Sequence, residues 1–444
     1  MKAKKRDNKE EATISKSSSA KLSFLKKGLL ATILVIFALA LSSGVASATT
    51  HVVNQTDPAC TAGDAYYTTI QAAINAANPG DTIIVCHEAT AYQETVVVNK
   101  SDIVIKAHDG TKPVVSALNI PNNHVFNITD QMNVTLQGFE IRDARGTNQS
   151  VAGIYMHNAS ECNITNTVIA NISNVNATRN AYGVYLHSSN NNTFDPTEIS
   201  NVNASYTAFG LYLGYSNNNS FTVTEVSDVT ASYVPAGVTY GIYIYDSDDN
   251  RFSSTNVSNI NATHYNDAYG IRLESSNNNS FSSSTNVSFI NAGDYAYGIL
   301  LSSSNNNTFS SSTTVSYVNA TGDACGIMLY YSDDNKFSSS TTVSYLNAAT
   351  NNACGIHLWD SDDNSFSSST SVSFINATED AYGILLSSSN NNSFSSSTTV
   401  SFINATHDAN GIRLWDNSNN NSFSSTTTVS YINAGDYAYG IYLK

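Results

Sequence analysis

The residues of this chain that could do chemistry are placed by a recurrent glycine. A Gly followed by an aliphatic residue returns at 153, 183, 210, 241, 270, 298, 326, 355, 383, 411 and 440, on average about every 29 residues. The positions two and four after it vary most from copy to copy. They hold Tyr243 and Tyr245, Arg272 and Glu274, Tyr330, His357 and Trp359, and Arg413 and Trp415, including both tryptophans of the chain. Flat aromatic rings on a rigid surface are what sugar rings stack upon, so this stripe is the candidate ligand-binding set, with polysaccharide as the ligand. The plainer alternative is that aromatics simply shield a β face.

Other sets are thinner. Asp360 and Asp416 follow the stripe two repeats apart, beside Trp359, Arg413 and Trp415. An inverting glycosidase needs two carboxylates roughly 6.5–9.5 Å apart, and Asp360, Asp416 and Arg413 are the best catalytic candidates the chain offers. A one-residue insertion within Asn417–Asn421 disturbs their register. Asp333, Asp334, Asp362 and Asp363 occupy a turn where other copies have Asn-Asn, and would crowd carboxylates together unless a cation such as Ca²⁺ lay between them. The alternative is solvated turn Asp interchangeable with Asn. His157 and His187 recur at one position in adjacent copies and could share a transition metal. Cys60 and Cys86 would close a 26-residue loop as a disulfide. Cys325 and Cys354 replace the aromatic before Gly in adjacent copies and are expected as stacked free thiols, with in-register spacing near the short limit for a bridge.

The elements that carry these side chains follow from the repeat unit, which holds three short apolar pulses and no helical period. In the first pulse the positions one and three after Gly are aliphatic, as in Ile299/Leu301, Ile327/Leu329 and Ile384/Leu386. That period of two marks a strand with one buried face. The second pulse ends at Phe194, Phe221, Phe252, Phe281, Phe309, Phe337, Phe366, Phe394 and Phe423, with an Asn two residues earlier each time. By the same period the Asn points inward with the Phe. A buried amide without partners costs a few kcal/mol, but copies stacked about 4.8 Å apart can bond one another as a ladder. Cys162 falls on that ladder position and is expected to be buried and inert. The third pulse, such as Val287-Ser-Phe-Ile290, supplies a third wall. Three strands per coil with like residues stacking describe an all-β, right-handed parallel β-helix of about 28–29-residue coils.

These residues resemble the pectate-lyase-like β-helix superfamily, in particular its carbohydrate-binding, NosD-like repeat branch. Segment 67–85, Tyr-Thr-Thr-Ile-Gln-Ala-Ala-Ile-Asn-Ala-Ala-Asn-Pro-Gly-Asp-Thr-Ile-Ile-Val, looks like that superfamily's opening, an amphipathic helix that covers the first coil and a Pro-Gly-Asp turn into the first strand. Cys86-His-Glu-Ala-Thr-Ala-Tyr92 departs from the family's usual turn. The resemblance implies polysaccharide binding along the stripe; lyases of the family use Asp-held Ca²⁺ and a basic residue, and the NosD likeness raises metal binding as a further alternative.

Composition narrows the choice. Charged residues make up 12% of the 444 residues and the formal net charge is −15. Without residues 1–48 the chain keeps 11 basic and 32 acidic residues, a net −21, which excludes nucleic-acid binding by counterion release. Lys26-Lys27, an apolar run from Gly28 to Leu41 and a small-residue site at Ala46-Ser47-Ala48 read as a signal peptide, with an uncleaved membrane anchor as the alternative. The 22 Asn-x-Ser/Thr sequons agree with export; Asn191, Asn218, Asn278, Asn306, Asn319, Asn376, Asn391 and Asn404 are the candidate glycosylation sites. The expected organisation is a signal at 1–48, a cap helix and first strands at 49–125, and the repeat domain at 126–444, stopping without a polar cap and so either a fragment or a chain that associates end to end. The expected function is an exported cell-surface module, structural or glycan-binding, without catalysis and needing no cofactor. Its rival is a polysaccharide lyase or glycoside hydrolase.

Overall fold

The structure is a computed structural model that describes residues 47–56, 60, 62–232 and 237–444. The expected signal peptide at 1–48 lies outside them except for its last two residues. No helix of the described residues is long and apolar enough to cross a membrane.

The chain winds as a right-handed parallel β-helix. From Asp267 onward each coil begins with a Gly-containing strand, such as Ala381–Ser387, continues through a two-residue strand, Ser393–Phe394, and closes with a third, Thr398–Ala405; in the four coils before that the last two run together, as in Asn163–Asn174. The eleven Gly-containing strands, with Val96–Val98 and Phe126–Thr129 ahead of them, form one 13-stranded parallel sheet that ends at Ala438–Leu443. Its register stacks like on like, Ile299 on Ile327 and Leu301 on Leu329. The reason for Gly is close approach: a Cβ at Gly326 would lie 2.3 Å from Val343 Cγ1 and 2.6 Å from the Gly355 carbonyl oxygen.

Inside, the nine phenylalanines from Phe194 to Phe423 stack with ring centroids 4.6–4.9 Å apart, the spacing of the strands that carry them. The Asn two residues before each is a ladder, but its bonds go mainly to backbone. Asn307 is fully buried; its Oδ1 accepts from the Asn279 N–H at 2.8 Å, and its Nδ2 donates to the Ser276 carbonyl at 3.0 Å and to Asn335 Oδ1 at 3.2 Å. A second buried ladder stands three residues earlier: the Ser304 N–H donates to Ser332 Oγ at 3.0 Å, and Ser304 Oγ donates back to the Ser302 carbonyl at 2.8 Å. Left-handed residues flank this serine in each coil, for example Ser388 and Asn391 around Ser389. Asn, Asp and Ser tolerate that conformation best among side-chain-bearing residues, which explains the composition of the turn.

Two expectations are corrected, and the third wall adds a departure from alternation. The helix Ile70–Ala76, N-capped by Thr69, buries Ile70, Ala73 and Ile74 in the core, but it does not come before the first coil. Strand Thr50–Val53 precedes it and pairs with both Ala65–Tyr67 and Thr82–Val85, because residues ahead of the family-like segment also have β character. The insertion after Trp415 leaves the register intact: consecutive left-handed residues Asp416 and Asn417 absorb it, and Asn421 Oδ1 again accepts the Asn392 N–H at 2.8 Å. The third wall does not keep a period of two. Phe289, Tyr317, Tyr345, Phe374, Phe402 and Tyr431 each adopt φ between 53° and 59°, which turns their rings outward between inward-facing neighbours.

Candidate functional site

The outer face of the 13-stranded sheet carries three columns of side chains: the residue before Gly and those two and four after it. The column before Gly was not singled out from the sequence. Tyr182, Phe209, Tyr240, Tyr269 and Tyr297 stack there at 4.8–5.2 Å. The signal lies in the recurring Tyr-Gly dipeptide, but alternation breaks at Gly, where Gly and the residue after it are both buried, and this puts Tyr and the residue two after Gly on one face. In the middle column Tyr155, Tyr185 and Tyr212 stack at 4.9 and 5.0 Å. Stacked face to face on one another, these rings turn their edges outward, and Phe209, Tyr240 and Tyr269 are buried.

Onto this face the structure brings one charged cluster. Register places Tyr243 beside Arg272 and Tyr245 beside Glu274. The Arg272 guanidinium lies 4.9 Å from the Tyr269 ring centre and 5.5 Å from that of Tyr243, and pairs with Glu274 at 2.8 Å. Tyr243 donates its hydroxyl to Glu274 at 2.7 Å. Burial first, and then that bond to a carboxylate, raise the Tyr243 phenol, so it remains a donor. Tyr245 lies against Tyr215 edge to face.

Two coils further on, the aromatic column breaks. Cys325 and Cys354 stand where Tyr stands elsewhere, and a depression of about 230 Å³ opens between Tyr297 and Tyr382, lined also by Met328, His357 and Trp359. Trp359 is 44% exposed, with Tyr330 against it edge to face at 5.8 Å and His357 tilted beside it at 5.8 Å. The His357 Nε2 is enclosed without a hydrogen-bond partner, and burial lowers the imidazole to about 4, so the ring is neutral at pH 7. Trp415 is different. Arg413 lies 4.0 Å from its ring centre and Lys444 Nζ 4.2 Å, so its π face is already occupied by cations. Arg413 also donates to the Tyr382 hydroxyl at 2.9 Å.

The remaining candidates are not gathered into a site. Asp360 and Asp416 sit in one left-handed column with Ser388 between them, hence two coil rises or about 10 Å apart. Asp416 takes a bond from Ser388 Oγ at 3.4 Å, and Arg413 turns to the aromatics. Asp333 and Asp362 take the place of turn Asn: Asp333 Oδ1 accepts the Asp362 N–H at 2.7 Å and Asp362 Oδ1 the Asn390 N–H at 2.6 Å. Burial and the nearby charges of Asp362, Asp334 and Asp363 raise the Asp333 carboxyl. Asp334 and Asp363 lie in the left-handed corners. His157 and His187 do stack, 5.5 Å apart and within 6° of parallel. Imidazole lone pairs lie in the ring plane, so two parallel rings do not aim at one ion. Among the described residues no three His, Cys, Asp or Glu side chains converge as a metal site.

Cys60 and Cys86 are joined by a disulfide, Cα atoms 6.0 Å apart. Cys162 is buried with its thiol raised to about 11, chiefly by burial, and its N–H starts the Asn ladder by donating to Asn192 Oδ1 at 2.9 Å. Asn191, Asn218, Asn278, Asn306 and Asn391 occupy exposed left-handed corners in one column. Asn319, Asn376 and Asn404 stand in an outer Asn column, where Asn319 Nδ2 donates to Asn291 Oδ1 at 3.0 Å.

Residues 116–314 match the family model described as a right handed beta helix region. No curated protein matches the chain. Among solved structures, it is similar to the A-module of a mannuronan C-5 epimerase from Azotobacter vinelandii, at 15% identity over 84% of this chain and 94% of that one, TM-score 0.39. The catalytic domain of a GH87 alpha-1,3-glucanase gives 12% identity over 85% and 69%, TM-score 0.35. PfbA, a surface adhesin of Streptococcus pneumoniae, gives 10% over 81% and 87%, TM-score 0.24.

Proposed function

We propose that this protein is an exported surface module that binds an extracellular polysaccharide or cell-surface glycan without transforming it. The observation that carries the reading is the exposed Trp359 at the notch of the 13-stranded sheet, with an Arg272–Glu274–Tyr243 cluster on the same outer face. Apolar ring surface and oriented polar groups side by side match the two faces of a sugar, its C–H face and its hydroxyl rim. Parallel strands hold the rings at fixed spacing, so little side-chain entropy is lost on binding.

Nothing in the geometry favours catalysis. The two best-placed carboxylates are two coils apart, and the nearest cation is held by Tyr382 and Trp415. The deciding experiment is a glycan array combined with reducing-end and unsaturated-uronide assays. Binding without product is the expected result, and Trp359→Ala should abolish it while thermal unfolding stays nearly unchanged, since an exposed side chain contributes little to the core. Release of product would replace the module by an enzyme, and unaltered binding in the variant would move the site elsewhere.

A further inference from the structure

The notch in the aromatic column has a floor unlike the rest of the sheet. Adjacent in-register strands set Cys325 beside Cys354 and, one column over, Met328 beside His357. All four side chains line the same depression. Both thiols are buried and unbridged; they interact with each other, and they make long contacts to the Ile327 and Ile356 carbonyls at 3.6 and 3.4 Å.

Strand geometry decides what such a pair can hold. Parallel side chains on neighbouring coils keep like atoms about 4.8 Å apart, well beyond a sulfur–sulfur bond of about 2.05 Å. The same spacing is close to twice a metal–thiolate distance of about 2.3 Å, which is the span of a cation held between two sulfurs. A thioether and two thiols are soft donors, which select copper(I). Zinc needs four donors in a tetrahedron, and no third His, Cys, Asp or Glu converges here.

We propose that Cys325 and Cys354, with Met328 at their side, bind one soft monovalent cation of the copper(I) class at the floor of this notch. Both S–H bonds break as the ion enters: two thiolates bind it, two protons pass to solvent, and no electron is transferred. Because two thiol protons must leave for each ion bound, binding is strongly pH dependent. The neutral His357 imidazole closes one side and adds no charge to the site.

The test uses the full chain under anaerobic reducing conditions, titrated with copper(I) delivered from a competing chelator and, in parallel, with silver(I), which cannot change oxidation state under these conditions. One ion per chain is expected, with thiolate-to-metal charge-transfer absorption. Affinity should rise by up to about 100-fold per pH unit while two protons are displaced. Met328→Leu should weaken binding, Cys325→Ser with Cys354→Ser should lower it by at least about 100-fold, and Cys162→Ser should leave it unchanged. Equal affinity for zinc, a pH-independent affinity, or retention of copper(I) in the double variant would overturn the proposal. So would alkylation of fewer than three thiols after unfolding, without reductant, of protein prepared without reductant, which would mean that the pair oxidises to a bridge. Because the wild-type pH dependence and Met328→Leu do not need the double variant to fold, the proposal stays testable if it does not.

Discussion

Replacing Asn307 with Leu tests the buried amide ladder directly. The side chain is fully buried, and its removal leaves two buried backbone groups without this partner, the Asn279 N–H at 2.8 Å and the Ser276 carbonyl at 3.0 Å, besides the part-buried Asn305 carbonyl at 3.2 Å. Each orphaned group costs about 1–3 kcal/mol, and the apolar surface that Leu buries returns roughly 1–2 kcal/mol, so the net loss is about 0–5 kcal/mol, centred near 2.5. A solenoid distributes its stability among neighbouring repeats, so a global melting curve would dilute the effect. Amide hydrogen exchange on peptides covering 276–282 reads it locally; about 1.4 kcal/mol is tenfold in protection, and the Asn279 amide should lose at least that. Asn307→Asp sharpens the test. It keeps the acceptor for the Asn279 N–H but turns a second oxygen on the Ser276 carbonyl, so stability should fall while Asn279 stays protected. Unchanged exchange at Asn279 in Asn307→Leu would refute the claim that these amides hold the coil turns.

Three further outcomes are expected. At Tyr345, which stacks between Tyr317 at 4.9 Å and Phe374 at 4.8 Å with φ of 59°, Ala should destabilise by about 1–3 kcal/mol, while Gly should cost about 1 kcal/mol less because it relieves the left-handed strain; equal loss in denaturant titrations would show that strain is absent. Cys60→Ser opens a loop of 26 residues and should lower the stability of the N-terminal coils by roughly 3 kcal/mol, read as faster proteolysis near Thr50–Val53; an unchanged rate would mean that packing alone holds this end. His124, stacked on Tyr155 and lowered by burial from 6.5 to about 4, is neutral when folded; the unfolded chain binds the extra proton, so this contribution is intact above pH 6.5 and is lost as pH falls toward 4. His124→Gln should therefore flatten the decline in denaturation midpoint between pH 6.5 and 4, and an identical slope in both proteins would remove His124 as its source.

Internal repetition made the coil legible before any coordinates. Ile299/Leu301 and their copies showed a buried face, and Asn307 two residues before Phe309 required stacking, because an inward amide is tolerable only where its copies lie above and below. Both follow from period and burial alone, which are properties of sequence. What the sequence could not determine was the direction of residues at irregular backbone positions. The left-handed φ at Phe289 and Tyr345 sends outward rings that strict alternation would send in. The break in alternation at each Gly adds Tyr240 and Tyr269 to the outer face, and the cation-covered ring of Trp415 differs from the exposed ring of Trp359 although both occupy the same position in the repeat. Asp333 and Asp362 look like a cation site in sequence and are turn acceptors in space. Periodicity assigns a side chain to a face, whereas function depends on which neighbours already occupy that face, and only the stacking of distant repeats decides them.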